Sequence, residues 1–207
     1  KIVNFIKSPL GLLTFFTISG YLYYLTNKWE RIRKDEEINK LKSKILETKY
    51  EPILELENVV GLSIATRPDS ITDECLDYLE DLSKRTYLTV ELGLQTIHEK
   101  TSILINRCHT LECFKEMVNK LRQRNINVVV HIINGLPYET KEMMIETAKY
   151  LSNLDIQGIK IHMLAILKNT QLEKMYEKEK FKLLTREEYI RIVCEQLEYL
   201  KEDIVIN

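Results

Sequence analysis

Six polar side chains stand where short apolar runs of this chain break off. Arg67 and Asp69 close Gly-Leu-Ser-Ile-Ala-Thr-Arg-Pro-Asp at 61–69. Glu91 and Gln95 lie in Val-Glu-Leu-Gly-Leu-Gln at 90–95. Asn134 and Glu139 lie in His-Ile-Ile-Asn-Gly-Leu-Pro-Tyr-Glu-Thr at 131–140. A helix-like stretch follows each run, which is the pattern of a βα repeat. Such repeats collect their sites at the C-terminal ends of parallel strands, so these residues are the first candidates for ligand contact. Pro68 fixes a turn and keeps Arg67 extended. Arg67 can reach a ligand carboxylate or ribose there, or close a turn with Asp69. Glu91, Gly93 and Gln95 share one face by the two-residue strand period, and an acid facing inward needs a partner or a ligand. Gly135 permits close backbone approach. His131, alone among apolar residues, reads as a hydrogen-bonded core histidine or a site contact.

Other chemistries find little support. No Ser–His–Asp arrangement, P-loop or Gly-rich dinucleotide fingerprint is present. His131 and His162 lack a third ligand at fitting spacing, so no metal site is assigned. His98 and His109 fall on helical segments and read as surface or packing residues. The cysteines are Cys75, Cys108, Cys113 and Cys194. Their spacing suggests neither a disulfide framework nor a metal set, and they read as reduced, mostly buried small residues.

The three motifs together resemble radical S-adenosylmethionine (SAM) proteins. The branch they resemble is that of the elongator catalytic subunit and the oxygen-independent coproporphyrinogen oxidases, and more narrowly a bacterial elongator-like subfamily. Leu-Ile-Asn-Arg at 104–107 with His109, and Ile-Lys-Ile-His-Met-Leu at 159–164 with Thr170, add to the match, which covers residues 50–207. The resemblance implies an incomplete (βα) partial barrel. It implies SAM as cofactor, with Arg67, Glu91, Gln95, Asn134, Gly135, His162 and Leu164 as its contacts. Glu91 and Gln95 would meet the ribose and methionine portions. The 131–139 segment, Met163 and Leu164 would meet adenine, and Glu139 would pin the turn. It also implies a 4Fe–4S cluster held by three cysteines spaced C-x3-C-x2-C, and that motif is absent from this sequence. Position 108, where the subfamily pattern has Gly, is Cys.

The elements that must position these residues follow from local pattern. Strands are expected at 59–65, 87–94, 126–133 and 158–166, with a further one opening at 203–206. Helices are expected at 72–85, 96–106, 110–124, 139–153, 171–178 and 185–200. Thr72 and Thr110 suit N-caps, and Thr185 with Glu188 forms a capping-box signature. The fold class is therefore α/β, with parallel strands and outer helices. Arg67, Glu91, Gln95, Asn134 and His162 are expected to converge on one concave face.

Residues 1–49 differ. Residues 8–27 are uncharged and largely apolar, and Lys28, Arg31, Arg33 and Lys34 follow. Contact with the inner membrane through 8–27 is one reading, a buried helix another. Residues 29–49 read as a charged helical connector. The domain division is thus 1–49 and 50–207, and the chain reads as part of a larger protein. Thirty basic and 31 acidic residues leave a net charge of −1, so no basic excess argues for DNA. A small-molecule substrate and RNA both stay open as partners. Unpaired cysteines point to a reducing, cytoplasmic setting. Function then reads as the SAM-binding portion of a radical SAM enzyme, inactive as it stands. The alternative is a non-catalytic or membrane-tethered barrel that binds a small molecule or a partner.

Overall fold

The computed structural model describes residues 9–207, with side chains at Lys28 and from Arg31 onward. The chain divides into two compact units, Lys1–Lys49 and Tyr50–Asn207. Helix α1 (Pro9–Leu54) carries exposed Ile32, Ile38, Leu41 and Ile45, four of the apolar positions of the charged stretch. The membrane contact expected of 8–27 rests on side chains outside the described residues. Among the described residues no helix is long and apolar enough to cross a membrane.

The second unit is an open, all-parallel sheet. Its strands are β1 (Gly61–Thr66), β2 (Tyr87–Gln95), β3 (Asn127–Asn134), β4 (Gly158–Met163) and β5 (Val205–Ile206), in spatial order β1-β2-β3-β4-β5. Between them run α2 (Asp73–Arg85), α3 (Glu99–Leu104), α4 (Leu111–Gln123), α5 (Lys141–Ser152), α6 (Gln171–Glu179) and α7 (Arg186–Leu197). This is the expected α/β architecture of parallel strands with outer helices. The register sets Glu91 beside Ala65, Gly93 beside His131, His131 beside Lys160 and Ile133 beside His162.

Alternation sorts the two faces of the sheet. Leu88, Val90, Leu92 and Leu94 of β2, with Val128, Val130 and Ile132 of β3, are buried on the helix side. There α2 and α4 pack with Leu76, Leu79, Leu82, Phe114, Val118 and Leu121, all buried. Each such aliphatic side chain stabilises the fold by about 1.5–3 kcal/mol. The other face is concave and carries Glu91, Gly93, His131, Ile133, Lys160 and His162.

Threonines start five of the helices. Thr72, Thr110, Thr140, Thr170 and Thr185 each accept a hydrogen bond from the backbone N–H three residues on. Thr185 and Glu188 complete the capping box. These caps fix where each loop hands over to its helix. One expected element is much shorter than its pattern: α3 covers 99–104 rather than 96–106. A bulge at Gly93/Gln95 and a left-handed Gln95 (φ 68°) end β2, and the carbonyls of Leu94 and Thr96 bond to Arg107 instead of entering a helix. Strand β4 stops at Met163 rather than 166.

Among the described residues other than glycine, asparagine takes half of the left-handed positions, at 58, 106, 125 and 169. Cys108 (φ 69°) takes another. Its Cβ is strained there, which is a physical reason to expect glycine at this position. Replacing Cys108→Gly should raise stability by about 1 kcal/mol. Urea unfolding measures this, and an unchanged or lowered midpoint would contradict the strain argument.

Candidate functional site

Glu91 occupies the middle of the concave face and is 8% exposed. Its carboxylate accepts from Ser63 Oγ at 2.5 Å, His131 Nε2 at 2.6 Å and Lys160 Nζ at 2.7 and 2.8 Å. One side chain thus joins β1, β2, β3 and β4. Burial opposes its charge, but the hydrogen bonds from Lys160, Ser63 and His131 and the Lys160 charge outweigh it and hold the carboxyl at about 2. His131 Nδ1 meets His162 Nε2 at 3.1 Å, with the rings tilted by 33°. His162 is exposed, and burial followed by the His131 and Lys160 charges depresses its basicity.

Above this row, at the C-terminal strand ends, lies a cavity of about 510 Å³. Arg67, Gln95, Arg107 and His109 supply its polar wall, and Ile133, Leu136, Leu164, Leu172 and Met175 much of its apolar wall. A Cβ on Gly93 would meet Gln95 Nε2 at 2.8 Å, so the glycine gives the Gln95 amide its space. Arg67 makes a two-point pair with Asp69 at 3.0 and 2.5 Å, and Asp69 is held below the usual carboxylate range by that hydrogen bond. Arg67 thus closes the turn with Asp69, and it also lines the cavity.

Arg107 is buried beneath the loop that follows β2. It donates to the carbonyls of Leu94, Thr96 and His109, while Nη2 has no hydrogen-bond partner and lies 3.8 Å from Glu99. His109 Nε2 contacts the carbonyl oxygen of Gly93 at 3.1 Å. Thr96 donates to Glu139 at 2.6 Å, tying the β2–α3 loop to the β3–α5 loop, and burial raises the Glu139 carboxyl. The expected turn-pinning role of Glu139 matches this bond.

Two expected side-chain placements are corrected. Asn134 does not face the concave side: it is 1% exposed and pairs with Gln196 of α7 at 2.7 and 3.1 Å. Alternation decides this, since Ile133 takes the cavity side and its neighbour must take the other. The Asn134 carbonyl still accepts from Leu164 N–H at 2.9 Å. At Gly135 (φ 84°) the Cβ direction is filled by the Leu184 side chain at 3.0 Å, and the residue is not in the wall of this cavity. His162 lies in the polar row and not in the cavity wall. Glu91 likewise spends its oxygens on protein donors. Arg107 and His109 are among the cavity residues that the motif reading did not assign as contacts. The signal was their spacing directly before a capped helix.

The profile of the Radical SAM superfamily matches residues 12–151, and that of the Radical_SAM C-terminal domain matches residues 156–207. The chain belongs to the radical SAM superfamily. The uncharacterized protein YtqA of Bacillus subtilis (strain 168) is 53% identical over 163 residues, covering 79% of this chain and 51% of YtqA. The chain spans about half the length of the curated relatives it matches. Two solved structures share the fold. Elp3 of Methanocaldococcus infernus superposes with a TM-score of 0.66 at 24% identity, over 72% of this chain and 35% of Elp3. Coproporphyrinogen III oxidase (HemN) of Escherichia coli, a radical SAM enzyme, superposes with a TM-score of 0.52 at 22% identity, over 66% and 31%. The elongator-like and coproporphyrinogen-oxidase-like resemblance is borne out.

The superfamily implies SAM and a 4Fe–4S cluster, and the two fit this chain differently. The cavity has a volume suited to a small molecule, an apolar wall and a buried guanidinium nitrogen without a hydrogen-bond partner, so it fits SAM. The cluster does not fit. Cys75 is buried in α2, Cys108 and Cys194 are exposed, and Cys113 lies in α4. Among the described residues no three His, Cys, Asp or Glu side chains are grouped to hold a metal ion.

The Glu91 network has a pH signature. Its folded pKa of about 2 lies below the ordinary 4.5, so its stabilisation is present above 4.5 and is lost as pH falls toward 2. Glu91→Gln should cost on the order of 3 kcal/mol near neutral pH, because Lys160 and His131 lose their anion. It should also flatten the acid limb across that window. A urea titration at several pH values reads both effects, and an acid limb as steep as the parent's would refute the assignment.

Proposed function

We propose that this chain is the SAM-holding portion of a radical SAM enzyme. The complete protein would generate a 5′-deoxyadenosyl radical from SAM with a 4Fe–4S cluster, to take a hydrogen atom from a substrate still to be identified. SAM supplies the radical fragment; the residues here bind it, orient it and keep water out. One observation supports this reading most: the cavity at the strand ends combines an apolar wall with buried Arg107, whose Nη2 has no hydrogen-bond partner. In this reading Arg107 and Arg67 hold the amino-acid carboxylate by charge-assisted hydrogen bonds. The Gln95 amide orients the ribose or methionine part, and Ile133, Leu136 and Leu164 cover adenine. Gly93 lets the Gln95 amide lie flat against β2.

Calorimetric titration of the full chain with SAM tests the proposal. Gln95→Ala and the cavity-filling Met175→Trp should each weaken binding at least about tenfold, roughly 1.4 kcal/mol. A parent chain that binds no SAM, or two variants with parental affinity, would overturn it.

The dispersed cysteines favour a second reading, in which the chain by itself is a binding module without radical chemistry. Anaerobic reconstitution with iron and sulfide should then give no stable cluster absorption. Stoichiometric absorption that persists after Cys108→Ala and Cys113→Ala would refute this, since it would demand other ligands.

A further inference from the structure

The polar row on the concave face has a direction. Glu91 is ionised and only accepts, so His131 must carry its proton on Nε2, 2.6 Å from the carboxylate. A neutral His131 then presents a lone pair on Nδ1. His162 Nε2 lies 3.1 Å from it and must be the donor. That leaves His162 Nδ1 as an acceptor at the exposed end of the chain. The groups facing this end are Lys160 on the same strand, His131 on β3, Glu91 on β2 and Ser63 on β1. Lys160 is already committed to Glu91 through both carboxylate oxygens. Ser63 donates to the same carboxylate and fixes its orientation. The other two histidines have no such relay, because His98 Nε2 contacts the Met143 carbonyl oxygen and both His109 nitrogens contact backbone carbonyls.

We propose that Glu91, His131 and His162 form a proton relay that accepts a proton at His162 Nδ1 from a ligand bound on the concave face. The balanced step is as follows. The ligand's X–H bond breaks, and the proton joins His162 Nδ1. The proton on His162 Nε2 passes to His131 Nδ1. His131 becomes an imidazolium paired with the Glu91 carboxylate, and the ligand keeps the electron pair as X⁻. No oxidant or reductant is consumed. His162 is the group that would touch the ligand; His131 and Glu91 are positioning residues. The ligand class follows from charge. The Lys160 ammonium disfavours a second cation here, so the donor is a neutral O–H or N–H group, and its conjugate anion gains from the same ammonium. Burial, a positive charge on His131 once the proton has arrived there, and the Lys160 charge all lower the basicity of His162, so they oppose a second proton on its ring.

The relay makes a spectroscopic demand that two merely packed rings do not. On acidification His162 must change tautomer, from Nε2–H to Nδ1–H, while His131 takes the charge. Nitrogen-15 NMR of the four histidine rings through a pH titration of the full chain reads this directly. The expected result is a tautomer switch at His162 in step with imidazolium formation at His131, and loss of the switch in Glu91→Gln. His162 charging on both nitrogens with no switch, or holding its proton on Nδ1 at neutral pH, would overturn the proposal. If Glu91→Gln fails to fold, the parent titration still decides, and Ser63→Ala supplies a milder variant in which the switch must survive. The measurement needs no cofactor, so it stands or falls separately from SAM binding in the neighbouring cavity.

Discussion

A single buried carboxylate organises the concave side of this sheet. Glu91 draws one donor each from β1, β3 and β4, and it sits on β2. Without those donors its charge could not stay on a nearly solvent-free group. With them it acts as a polar rivet across four strands. The helix side of the sheet needs no such device, because Leu, Val and Ile there meet apolar helix faces. The concave side is free to be polar because its stability comes from a satisfied network, and a satisfied network sets its geometry tightly.

The same logic continues at the mouth. The loop after β2 is irregular, and its carbonyls would be orphaned if nothing met them. Arg107 and His109 contact those carbonyls, and Thr96 with Glu139 ties the loop to its neighbour. These bonds hold open a cavity whose wall is apolar on the β3 and α6 side and cationic on the other. A rigid rim with one guanidinium nitrogen lacking a hydrogen-bond partner is suited to a small ligand that is apolar at one end and anionic at the other. The polar row and the cavity are thus two stacked layers on one face, each with its own chemistry.

Membership of the radical SAM superfamily gives this arrangement its context, and the fold shared with Elp3 and HemN is the partial barrel that carries it. The chain covers about half of its curated relatives, so cluster, substrate and product belong to the proposed whole. Fold alone does not name a substrate.

Much of this was legible in the sequence. The β-branched run at 127–133, the threonine caps and the two-residue period of β2 are local properties, and local sterics and hydrogen bonding decide them. The inward face of Glu91 followed from alternation alone. Tertiary structure decided the rest. Asn134 looked like a site residue because it ends a strand, but only the arrival of Gln196, far along the chain, shows that its face is the helix side. Leu184, far along the chain, fills the space that a Cβ on Gly135 would need. The Glu91 network joins residues from 63 to 160, and no local pattern encodes a contact between strands whose order is set by the whole sheet. Local spacing determines which way a side chain leaves its own strand; what it meets there depends on chain segments that only folding brings near.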